Sequence, residues 1–128
     1  MKNRILFIGL FLLCAAFGMA QAPANRTTKT IVTDAIGQLP ANTPKNYNKI
    51  IEELVSTGEE GILQLVEMMG AQGSEINSTI EYALSGITHY VGDNEKQEAA
   101  RLITSKAYQK AVDQAKHVEN KAFMVRQL

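Results

Sequence analysis

The chain has 128 residues, 13 basic and 13 acidic side chains, 45% apolar residues and 6% aromatic ones. That is the composition of one ordinary globular domain, not of a disordered or collagen-like chain. The balanced charge excludes the broad basic footprint that nucleic-acid binding needs, so no nucleic-acid partner is expected.

The amino terminus reads as an address. Lys2 and Arg4 precede an apolar run from Ile5 to Phe17, and Gly18-Met19-Ala20 follows with small residues where a signal peptidase reads. The run is shorter than the roughly 20 apolar residues of a transmembrane helix. Residues 1–20 are therefore expected to be a cleaved secretory signal, with Gln21 as the new terminus. The chain is then exported, periplasmic or secreted, and keeps no stable membrane span after cleavage. A cut after Ala22 would set Pro23 beside the scissile bond, which disfavours it. Cys14 follows Leu12 and Leu13 directly, a poor match to a lipoprotein signal, and reads as a small hydrophobe of the apolar run. Cleavage leaves 11 basic against 13 acidic residues, about two negative, and no cysteine. Disulfides, thiol catalysis and zinc-thiolate sites are thereby excluded, so stability must come from packing.

Residues 21–42 are expected to hold a short polar leader and a first short helix. Ile31, Val32, Ala35, Ile36 and Leu39 share one helical face, and Pro40 ends the helix. A second helix opens at Thr43 as N-cap with Pro44 at its first position, carries Tyr47, Ile50, Ile51, Leu54 and Val55, and stops at Gly58. Thr57 with Glu60 forms a capping-box pattern for a third helix, whose face is Ile62, Leu63, Leu65, Val66, Met68 and Met69 and which closes at Gly70. Ser74 caps a fourth helix with Ile76, Ile80, Ala83, Leu84, Ile87 and Val91, ended by Gly92. Asp93 caps a fifth, running to about Lys116. Its expected buried face is Ala99, Ala100, Leu102, Ile103, Ala107, Tyr108, Ala111 and Val112, with Lys110 and Lys116 at the negative end of its dipole. A last helix begins near Glu119 and holds Ala122, Phe123, Val125 and Leu128. No segment shows strand alternation or a hairpin turn. The fold class expected is all-α, with about five or six helices joined by short loops as antiparallel neighbours.

The segment Gly58-Glu59-Glu60-Gly61-Ile62-Leu63-Gln64-Leu65-Val66-Glu67-Met68-Met69 resembles the first helix of a HEAT-type repeat, a Gly-acidic turn followed by a dense Leu/Ile stripe. Tyr82-Ala83-Leu84-Ser85-Gly86-Ile87 resembles the second helix, with a small residue beside a Leu for close packing, and Lys121-Ala122-Phe123-Met124-Val125-Arg126-Gln127-Leu128 looks like another, one HEAT period later. The resemblance covers residues 43–128 and implies a short HEAT- or armadillo-like α-solenoid of stacked helix pairs. The fifth helix is long for such a unit, and the Pro and Asp positions familiar in these repeats are not clearly placed. Phe123, Val125 and Leu128 are expected to face nothing that follows. Either the last helix folds back as a terminal cap, or the chain is the front of a longer solenoid, and the second is the expectation.

The chemistry-bearing residues form no constellation. His89 and His117 have no metal-site spacing, and His89 beside Tyr90 is expected to be a packed or capping residue. Glu52-Glu53 and Glu59-Glu60 are helix neighbours that diverge rather than converge, and Glu95 and Glu98 are charges of a first turn. Ser56, Ser78, Ser85 and Ser105 lack a nucleophile-elbow context. The paired glycines at 58, 61, 70 and 73 are not phosphate cradles, and Met68-Met69 reads as core rather than a soft-metal site. Asn25-Arg26-Thr27 and Asn77-Ser78-Thr79 match the glycosylation sequon. No catalytic residue, cofactor or metal is expected. The function expected is a non-catalytic protein-binding or scaffold module of the bacterial cell envelope, built from HEAT-like repeats. Its alternative is the N-terminal helical region of a larger exported enzyme whose catalytic domain lies elsewhere. The expected partner is a protein on the helical surface, with self-association through the last helix as a further expectation.

Overall fold

A computed structural model describes residues 26–128, so the expected signal segment and the start of the leader lie outside the described residues. Thr43 caps the helix behind it as its sequence predicts: its hydroxyl accepts from the Asn46 amide at 3.2 Å, and Pro44 occupies the first helical position. Among the described residues six α-helices follow one another: α1 Thr28–Gln38, α2 Pro44–Ser56, α3 Gly58–Met68, α4 Glu75–Asp93, α5 Glu98–Gln114 and α6 Val118–Gln127. A single 3-10 turn, Glu95–Gln97, joins α4 to α5, and no strand occurs among the described residues. The all-α expectation is therefore met.

Several terminal signals act differently from the sequence reading. Thr57 makes no N-cap bond for α3; its backbone is helical and its hydroxyl donates to the Leu54 carbonyl, closing α2. The chain turns at once into α3 through Gly58, whose φ of +63° is a left-handed conformation that disfavours any side chain. Glu60, the expected box partner, instead accepts from the Thr28 hydroxyl at 3.1 Å and ties α3 to α1. Ser74 makes no side-chain cap. Helix α4 does not stop at Gly92 but runs to Asp93, and Asn94 rather than Asp93 caps the 3-10 turn by accepting from the Lys96 amide.

The helices pack in alternating succession. Each touches the next in the chain, while α1 packs on α3 and α3 on α5, and α2 packs on α4 and α4 on α6. One core runs through all six, centred on Val32, Ile51, Leu54, Leu65, Ile80, Leu84, Ile87, Tyr108 and Met124. Each such side chain contributes about 1.5–3 kcal/mol on full burial. Gly86 makes the α2–α4 contact close: a Cβ there would run into the Tyr47 hydroxyl and lie 2.6 Å from Ile51 Cδ1.

Two predicted faces need correction. On α5 the buried residues are Thr104, Ala107, Tyr108 and Ala111, whereas Leu102 and Ile103 stand 58% and 45% exposed and Ala99 is exposed too. Helical phase explains this: α3, α4 and α6 together cover the side of α5 that carries 104, 107, 108 and 111, and the apolar pair at 102 and 103 falls outside that arc. On α6, Phe123 is not open but buried with Met124 and Asn120, while Ala122, Val125 and Leu128 remain exposed.

Candidate functional site

The region around the end of α4, the start of α5 and the end of α6 holds a groove of about 550 Å³. Its floor is polar and satisfied. The buried Tyr108 hydroxyl lies 2.9 Å from the Leu84 carbonyl and 2.9 Å from the Thr88 hydroxyl, and Thr88 in turn donates to Gln127 Oε1 at 2.8 Å. Burial pushes the Tyr108 phenol up to about 12, against a smaller lowering by the Thr88 contact, so it stays neutral throughout the physiological range. Three helices thus meet at one hydrogen-bonded point. Each of these side chains is hydrogen-bonded within the fold.

Arg101 forms one wall. Its Nε donates to the Val91 carbonyl at 3.0 Å and an Nη to the Asn94 carbonyl at 3.3 Å. These carbonyls belong to the end of α4, where backbone acceptors lack helical partners and a cation is favoured. Leu102 and Leu128, each 58% exposed, form the apolar rim.

A second, more open hollow lies against α2 and α4, lined by Tyr47, Gly86, His89, Tyr90 and Asp93. The Tyr47 and Tyr82 rings sit 4.9 Å apart at 32°. Partial burial, with Tyr82 adding to it, raises the Tyr47 phenol above its ordinary value. His89 is not packed as expected but exposed on this hollow; His117 precedes α6 and makes no side-chain cap.

The acidic pairs stay apart. Glu53 meets Arg26 at 3.3 Å, Glu59 meets Lys110 at 2.6 Å and Glu60 meets Thr28. Lys110 therefore bridges α5 to α3 instead of only facing its own helix end. Among the described residues no three His, Cys, Asp or Glu side chains gather as a metal site. Asn77 of the second sequon is buried: its amide accepts from the Gly70 amide and donates to the Gly70 and Ala71 carbonyls. Asn25 of the first lies outside the described residues. Met69 is buried and Met68 packs partly buried on the core.

Sequence reasoning missed Thr88, Asn120 and Gln127, and saw Asn77 only as part of a sequon. Each is a polar residue whose partner is a carbonyl or side chain brought in by another element, and no spacing rule signals that. No helix among the described residues is long and apolar enough to cross a membrane. No protein-family model, curated protein or solved structure matches the chain.

Proposed function

We propose that the chain is a non-catalytic binding module of the bacterial cell envelope: a short HEAT-like stack of helix pairs that presents the Leu102–Leu128 groove to a protein partner. One observation carries this reading. Helices α1, α3 and α5 succeed one another in contact, and so do α2, α4 and α6. Stacked helix pairs share a core in this way, with stability summed over neighbouring interfaces and long helical surfaces left free. The groove has the mixed character of a recognition surface, with apolar Leu102 and Leu128 at the rim and a charged Arg101 fixed by backbone carbonyls. Its polar floor is already satisfied internally, which suits a structural support better than a reacting centre.

The reading is tested by placing a photo-crosslinking residue at Leu102 or Leu128 of the full chain in its native envelope. A discrete protein adduct at either position, absent from the exposed loop position Gln72, is expected. Identical adducts at all three positions, or none in the groove, contradict it.

A further inference from the structure

Helix α6 has a second face that the groove does not use. Asn120, Phe123 and Met124 point into the protein, and Gln127 reaches Thr88. At about 100° per residue, Val118, Ala122 and Val125 fall on the opposite side. Val118 is 76% exposed, the most open of the large apolar side chains among the described residues, and Val125 is 55% exposed. Glu119 and Arg126 flank this stripe on one side, both exposed and two turns apart. Arg126 lies over its own Phe123, 5.8 Å from the ring centroid, so its stem runs along the helix.

We propose that α6 pairs antiparallel with α6 of a second copy of this chain, across a two-fold axis beside Ala122. Charge selects this occupant. In a two-fold antiparallel pair like flanks face each other with direction reversed, so Glu119 of each copy meets Arg126 of the other, twice. In a parallel pair opposite flanks would face each other, so Glu119 would lie beside Lys121 of the other copy and Arg126 would meet no acid. Ala122 lies between these two charges, where the helices cross, and its methyl group permits close approach. Val118 and Val125 close over one another on either side of it. Lys121 lies on the other flank, off the line of these contacts. The stripe is short, so the pairing is weak and concentration-dependent. It goes beyond the proposed binding function and uses none of its rim residues.

Sedimentation equilibrium of the full chain across the micromolar range tests it. The unmodified chain passes from monomer to dimer. Glu119→Arg and Arg126→Glu each weaken the dimer about tenfold, and the double reversal Glu119→Arg/Arg126→Glu restores it. All three variants alter exposed positions, and unchanged helical circular dichroism verifies their folding. A chain that stays monomeric throughout, or a dimer indifferent to the single reversals, overturns the proposal. Loss of a crosslinked partner at Leu102 or Leu128 would leave it standing, so the two readings fail separately.

Discussion

The side-chain amide of Asn120 donates to the carbonyl oxygen of Gly70 at 3.0 Å, joining α6 to the loop between α3 and α4. Asn77 Nδ2 donates to the same oxygen at 3.1 Å. Gly70 is thus held from two helices that are far apart in the chain, and both asparagines are buried. Asn120→Leu leaves the carbonyl with one donor and forces a branched apolar group against it. A loss of about 1–3 kcal/mol is expected, read as a lowered denaturant midpoint. An unchanged midpoint would show that α6 does not depend on this anchor.

The buried Tyr108 phenol makes stability depend on alkaline pH. Its pKa is raised from the ordinary 10 to about 12 in the folded chain. Between these values the unfolded chain has lost its phenolic proton while the folded chain keeps it, so stability falls as pH rises. The contribution is complete below pH 10 and amounts to about 2–3 kcal/mol lost by pH 12. Tyr108→Phe loses stability at neutral pH through its missing hydrogen bonds, but its disadvantage shrinks above pH 10. Parallel pH curves for the two proteins would contradict this.

Two glycines of α4 predict opposite signs. Gly86→Ala drives a methyl into Tyr47 and Ile51 of α2, where Ile51 Cγ1 is 3.1 Å from the new atom. Crowding of this kind costs about 1–3 kcal/mol. Gly92→Ala meets nothing within 4 Å and its backbone is already helical, so it stabilises by about 0.5–1 kcal/mol. Thermal melts of the two variants on either side of the parent check both.

Leu84 is wholly buried and His89, five positions on, is exposed. Leu84→Asp sets an unpaired charge in the core at a cost of several kcal/mol and unfolds the chain. His89→Ala leaves the melting temperature within a degree or two of the parent. A cooperative melt for Leu84→Asp near the parent temperature would refute the α4 face assignment.

Local patterns spoke clearly where one helix decides its own structure. The Thr43-Pro44 start, the Ile50–Leu54 face of α2 and the Ile80–Ile87 face of α4 all stand where their spacing predicts. Signals failed where a second element intervenes. Thr57 and Glu60 have the residues of a capping box, yet Thr57 turns back to α2 and Glu60 turns to Thr28 on α1. Gly92 has the residue of a helix stop, yet α4 runs one residue past it to Asp93, and Arg101 reaches back from α5 to the Val91 carbonyl. Leu102 and Ile103 have core chemistry but the wrong angular phase on α5. The groove was not legible for the same reason: its floor joins Thr88, Tyr108 and Gln127 from three helices.

In the proposed stack α3 lies between α1 and α5, touching both. Spin labels at the exposed positions Thr33 on α1 and Gln109 on α5 report that separation directly in solution. A stack predicts two interaxial spacings between these helix axes, roughly 16–20 Å. A separation of one spacing, roughly 8–10 Å, would place α1 against α5 in a closed bundle and contradict the account.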